Sequence, residues 1–248
     1  MKEWIIGRNP VMEVLKTKRR EVFRLLLATG LEEKGRIAEM VQMARARKVT
    51  VERVPREKLA GMGENPQGVA LEVSRYPYVD LADITGKSEQ RQEPLFVLML
   101  DLIQNPQNLG TLLRSAEAAG VHGVVIPPHR AAEVTPAVVN ASAGATEHLL
   151  IAQGNLVQCC RELKEAGAWV VGLEGGPEAK PIHEVPLDGA IVLIVGNEGE
   201  GMRPLVKETC DFLLSLPMLG EIESLNAAVA GSIVLYQVVL TREKKATK

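Results

Sequence analysis

The chain of 248 residues is poor in aromatics, with Phe, Trp and Tyr making up 3% of it. Stacking of bases on aromatic platforms is therefore not expected to dominate any contact with nucleic acid. There are three cysteines, Cys159, Cys160 and Cys210, and no CxxC pair. That spacing argues against a zinc or thioredoxin-type site and reads as reduced structural thiols. The four histidines, His122, His129, His148 and His183, lack HExxH spacing, and no GxSxG marks a nucleophile elbow. Metal-dependent and serine hydrolysis both lose ground. No apolar run approaches the ~20 residues of a membrane span. The start, MKEWIIGRNP, has no signal-peptide pattern. The expectation is a cytoplasmic protein with neither a membrane nor a metal as partner.

Charge of either sign is scarce only in the sum. The formal net charge is −2, yet residues 1–75 carry 16 Lys and Arg against 10 Asp and Glu, and residues 76–248 carry 13 against 21. A basic front joined to an acidic back suggests a division of labour in which the front meets a polyanion. An ordinary solvated surface would also account for the charge taken alone.

Apolar patterning predicts an α/β chain. Over 1–75 a helix is expected at NPVMEVLKT, a strand at EVFRLLLA and a second helix with Ile37, Val41 and Ala44 on one face. A strand at VTVERV, a short helix at REKLAGM and a strand at QGVALEV follow. Residues 76–94, rich in proline, glycine and charge with little periodicity, read as a linker. From 95 to 248, continuous apolar strands alternate with helices (LFVLMLDL, VHGVVIP, AWVVGLE, AIVLIV), which implies a buried parallel sheet with helices on both faces. No internal repeat is visible.

Ligands of such sheets bind beyond the carboxyl ends of the strands, and three loops leave such ends here. The first, DLIQNPQNLGTLLRSAEAAG, holds Asn108 and Arg114; the second, LIVGNEGEGMRP, holds Gly196 and Glu198; the third, LPMLGEIESLNAAVAG, holds Leu216, Ser224, Leu225 and Asn226. A GxGxxG after the first strand, which a dinucleotide fold needs, is absent. The glycine-rich loop carries Glu198 and Glu200, whose charge would repel a phosphate. Taken singly, Asn108 and Ser224 also read as helix caps, and Arg114 as an exposed helical arginine.

Together the three loops resemble the successive motifs of the SpoU (TrmH-type) RNA ribose 2′-O-methyltransferases of the SPOUT class. NASAGATEHL is similar to the segment between the first two motifs, and IIGRNPVMEVL to the start of the family's L30e-like substrate-binding domain. The resemblance implies an L30e-like RNA-binding domain over 1–75, a linker over 76–94 and a catalytic SPOUT domain with a deep trefoil knot over 95–248. It implies a homodimer whose partner subunit helps complete the site, and S-adenosylmethionine as cofactor. Gly196, Leu216 and Leu225 would contact the cofactor. Arg114, Asn108, Glu198, Ser224 and Asn226 form the implied catalytic set, with Arg114 essential. Methylation of a guanosine in 23S ribosomal RNA is the expected activity; a tRNA-directed enzyme and a non-catalytic RNA-binding protein are the alternatives. Two positions depart from the pattern. Ala228 stands where a hydroxyl is common and Pro66 where a histidine is, so neither is assigned a polar role.

Overall fold

The computed structural model describes residues 2–246. They form two compact units, one of residues 2–77 together with Glu133–His148, the other of Tyr78–Ala132 together with residues 149–246. No described helix is long and apolar enough to cross a membrane.

The first unit is a four-stranded sheet in the order β1 (Lys2–Ile6), β4 (Val69–Ser74), β2 (Val22–Ala28), β3 (Thr50–Val54). β4 runs antiparallel to both neighbours, and β2 pairs β3 in parallel. Helices α1 (Arg8–Thr17), α2 (Arg36–Ala46) and α3 (Arg56–Ala60) connect the strands. α2 buries Ile37, Met40, Val41 and Ala44, the face its periodicity predicts. β1 is an addition to the expected elements.

The second unit opens with α4 (Leu81–Arg91). This helix occupies the segment expected to be a linker, and that expectation is corrected. Its first turn is closed by the Asp80 N–H donating to Asp83 Oδ2 at 3.0 Å. Only Ile84 and Ser88 are buried along it, so its apolar periodicity is too thin to read. Ile84 lies against the bare backbone of Gly123, where a Cβ would come within 2.5 Å of it.

Then follow β5 (Phe96–Leu100), α5 (Pro106–Ala118) and β6 (Gly123–Ile126). Beyond β6 the chain gives α6 (Pro136–Ala141) and a 3₁₀ turn (Ala145–Glu147) to the first unit, a segment the sequence reading assigned to the catalytic domain. Arg20, 2% exposed, is what holds that segment. Its Nε and Nη2 donate to the two oxygens of the fully buried Glu147 at 3.0 and 2.8 Å. Tyr76 lies 5.1 Å from the Arg20 guanidinium and donates to the Thr146 carbonyl at 3.1 Å.

The chain returns as β7 (Ile151–Gln153), α7 (Leu156–Glu165), β8 (Trp169–Leu173), β9 (Lys180–Pro181), β10 (Ile191–Val195), α8 (Pro204–Lys207), β11 (Phe212–Ser215) and α9 (Ala227–Ala246). Seven strands form one sheet in the order β7-β6-β5-β10-β8-β11-β9, every pair parallel. β5 and β10 are buried at every residue, as continuous apolar strands in the middle of such a sheet should be. One face packs Val97, Met99, Val192 and Ile194 under α4, α7 and α8. On the other, α9 crosses close to α5 and β10. A Cβ on Gly231 would lie 2.6 Å from Leu112 and 3.0 Å from Val195, and Ser232 Oγ bonds Ser115 Oγ at 2.7 Å. Burial pushes the Cys159 thiol up to about 11 and Cys210 up to about 12, so both are protonated at neutral pH.

Candidate functional site

β5, β10, β8 and β11 all end at the same edge of the sheet, and the loops they release are tied to one another. Asp101, just beyond β5 and fully buried, accepts from the Arg203 backbone N–H and Nε, each at 2.8 Å. Leu102, left-handed at φ 59°, turns its carbonyl to Asn197 Nδ2 at 3.0 Å. Asn197 and Gly201 exchange backbone hydrogen bonds of 3.0 Å each way, which closes the glycine-rich loop into a ring. The loop then doubles back so tightly that a Cβ on Gly196 would stand 2.4 Å from the Gly201 carbonyl carbon. Glycine at 196 is a steric requirement of this turn.

Glu198 joins the first and third loops. Its Oε1 accepts from Asn108 Nδ2 at 2.9 Å, from the Ala227 backbone N–H at 3.2 Å, and from Asn226 Nδ2. Asn226 Nδ2 also reaches Asn108 Oδ1 at 3.1 Å. The capping alternatives resolve against the residues first considered. Asn105 rather than Asn108 caps α5, accepting from the Gln107 N–H at 2.8 Å. Asn226 rather than Ser224 caps α9, accepting from the Ala228 and Val229 N–H groups at 3.0 and 3.2 Å.

Behind this cluster lies a cavity of about 330 Å³. Gly196, Leu216, Leu225, Ser224 and Glu198 all line it. Arg114 does not. It sits exposed on α5, about 9 Å along the axis from Asn108, and makes no hydrogen bond or ion pair with a described residue.

The cavity has one sign of charge. Glu174, Glu198, Glu200 and Glu223 border it, and no lysine or arginine does. Glu198 is committed to its three donors, while Glu200 and Glu223 are exposed to solvent. Glu174, at the end of β8, is different. Its Oε2 is buried with no hydrogen-bond partner, and its other oxygen is 4.0 Å from Lys207 Nζ. A buried, unpaired carboxylate oxygen is costly unless a ligand satisfies it. Such a cavity suits a ligand that is cationic or rich in donors and rejects a phosphate. Sequence reasoning missed Glu174; its place at a strand's carboxyl end was the available signal. Among the described residues, no group of three or more His, Cys, Asp or Glu could hold a metal ion.

The curated Bacillus subtilis protein YacO, named for the TrmH family of tRNA/rRNA methyltransferases, is 40% identical over 243 residues, 97% of this chain and 96% of its own. Among solved structures, the SpoU methyltransferase AviRb of Streptomyces viridochromogenes, crystallised with AdoMet, is 25% identical with a TM-score of 0.81, covering 98% of this chain and 91% of its own. The A. aeolicus TrmH/SpoU tRNA modifying enzyme is 29% identical with a TM-score of 0.57, covering 67% of this chain and 84% of its own. Residues 4–79 match the substrate-binding domain of RNA 2′-O ribose methyltransferases. Residues 95–236 match the SpoU rRNA methylases, and the chain belongs to that family.

Proposed function

We propose that the protein is an S-adenosylmethionine-dependent ribose 2′-O-methyltransferase acting on a guanosine of 23S ribosomal RNA, with tRNA as the second reading. The observation that carries the chemistry is the acidic, phosphate-rejecting cavity beside the Asn108–Glu198–Asn226 cluster. The reading of ribosomal RNA as substrate is supported by the match of residues 95–236 to the SpoU rRNA methylase family. A third of the chain also lies outside the likeness to the tRNA-modifying enzyme. Mapping 2′-O-methyl marks in RNA from cells with and without the gene tests both. Loss of a mark from 23S RNA supports the first reading, and loss from tRNA replaces it with the second.

S-adenosylmethionine supplies a methyl group on a cationic sulfonium, and the residues that would hold it are Gly196, Leu216 and Leu225, with Glu174 facing its positive charge. Glu174→Gln keeps the shape and removes the charge. Calorimetry is expected to show S-adenosylmethionine binding about tenfold weaker or worse, the scale of a lost charged hydrogen bond. An unchanged affinity would remove Glu174 from cofactor recognition. Asn108 and Asn226 orient the ribose, Glu198 fixes the loops that hold them, and Ser224 offers a free hydroxyl at the cavity wall. Arg114 clamps the RNA phosphate and lowers the cost of deprotonating the 2′-hydroxyl through its positive charge.

The reading includes a deep trefoil knot in the second unit, which the resemblance of its three motif loops to the SPOUT class implies. It also includes a homodimer. Val229, Ile233, Tyr236 and Leu240, each 45–48% exposed, form one apolar stripe along α9 at helical spacing. That Arg114 stands apart from its own chain's cavity fits a site completed by a second copy. Ile233→Asp is expected to give a folded monomer by sedimentation; a persistent dimer would place the interface elsewhere.

A further inference from the structure

We propose that the N-terminal unit contains a pocket for a single nucleotide of the RNA, with its phosphate between Arg8 and Arg56 and its base against Leu31, Leu59, Ala60 and Pro66. The proposal rests on the reading of the chain as an RNA methyltransferase. These residues line a cavity of about 590 Å³, within the roughly 300–1,000 Å³ usual for small-ligand sites. Its floor is aliphatic and anchored. Leu59 is buried, and Leu31 packs on the same core of Ile6, Leu26, Val54 and Ala70.

The rim is cationic, and its cations are free of acids. Other basic residues of this unit are paired with acids, as in Arg53–Glu33, Lys34–Glu32 and Lys16–Glu13. Arg56 makes no hydrogen bond or ion pair with a described residue, and Arg8 bonds only Gln67. No acidic residue lines the cavity. Its charge is thus opposite to that of the cavity at Glu174, and it calls for an anion attached to an apolar face.

The wall is held in place. The Arg8 backbone N–H donates to Gln67 Oε1 at 2.9 Å, and Arg8 Nε donates to the Gln67 carbonyl at 3.3 Å. Gln67 is left-handed at φ 53°, as is Asn65, and Gly68 follows at φ 79°. Non-glycine residues held in that region cluster at ligand sites. An aliphatic floor alone would take any small hydrophobe, and two arginines alone any phosphate. A splayed-out nucleotide satisfies both, because unpaired bases present an apolar face and a guanidinium forks onto a phosphate.

Filter binding of the full chain to deproteinised 23S ribosomal RNA and to bulk tRNA, over a range of salt, tests the pocket. Ala60→Phe fills the cavity without changing charge. It is expected to weaken binding of the preferred RNA about tenfold, the scale of one lost base contact, with the salt dependence unchanged. The Arg8→Ala/Arg56→Ala pair is expected to weaken it at least as much and to make the log–log salt slope shallower by about 0.7, the contribution of one single-stranded phosphate. Arg45 and Lys48, exposed in the same unit and away from the cavity, provide the control pair. Wild-type affinity in Ala60→Phe, or a loss from Arg45→Ala/Lys48→Ala equal to that from the Arg8/Arg56 pair, overturns the pocket in favour of a diffuse basic surface. Calorimetry with S-adenosylmethionine separates the failures. Wild-type protein that binds the cofactor but neither RNA refutes the pocket alone; one that binds none of them refutes the enzyme reading with it.

Discussion

Arg114→Ala is expected to fold, to bind S-adenosylmethionine as the wild type does, and to methylate RNA on the order of 10²–10³ times more slowly, the usual effect of removing a transition-state charge contact. Arg114 is exposed and makes no hydrogen bond or ion pair with a described residue. Its removal should therefore change stability by only about a few tenths of a kcal/mol. A large loss of rate with no loss of fold would thus report chemistry rather than structure. Arg114→Lys is the sharper variant. It keeps the charge and loses the planar fork, so it too should be nearly inactive if two phosphate or ribose oxygens are gripped at once. Single-turnover methylation at saturating cofactor and RNA separates slow chemistry from weak binding. A near wild-type rate for Arg114→Ala would take the residue out of the mechanism.

Glu147→Ala should be the most destabilising substitution at an ion pair of the first unit, by about 3–5 kcal/mol. The cost comes from stranding the Arg20 guanidinium, which is buried beneath Tyr76 with only the partly exposed Glu3 left as a counter-charge. Arg53→Ala breaks the Arg53–Glu33 pair, whose side chains are 42% and 34% exposed, and should cost under ~1 kcal/mol. Denaturant midpoints for the two variants compare these directly. The double change Arg20→Met/Glu147→Leu should recover most of the loss, since a well-packed apolar pair needs no counter-charge. Equal midpoints for Glu147→Ala and Arg53→Ala would mean that water reaches the buried pair.

What was legible in the sequence was periodic or local. The strands of the second unit could be read because a two-sided sheet demands unbroken apolar runs such as Ile191–Val195. The loops could be read because their polar residues stand next to those runs. Helix α4 could not, because it is secured by one isoleucine against one glycine rather than by a repeating stripe. Long-range pairings left no local trace. Nothing near Glu147 or Arg20 announces that the two meet across more than a hundred residues. Glu174 was hidden for another reason: a carboxylate at a strand end looks like any solvated one until one of its oxygens is known to be buried without a donor. Within the third loop, Ser224 and Asn226 were both visible candidates, and only the hydrogen bonds distinguish the cap from the free hydroxyl.

The loan of Glu133–His148 to the first unit also sets a schedule for biosynthesis. An N-terminal domain that ended at Pro77 could close as soon as it left the ribosome. This one lacks its last segment until later, because Arg20 must wait for Glu147 to be made. At about 5–20 residues per second, synthesis of residues 78–148 takes roughly 4–14 s. For that interval Arg20 has only Glu3 as a counter-charge, while the first strands of the second unit are being made. The first unit is therefore completed only after the second has begun to be made, and a pause in translation before residue 147 would leave Arg20 without its Glu147 partner.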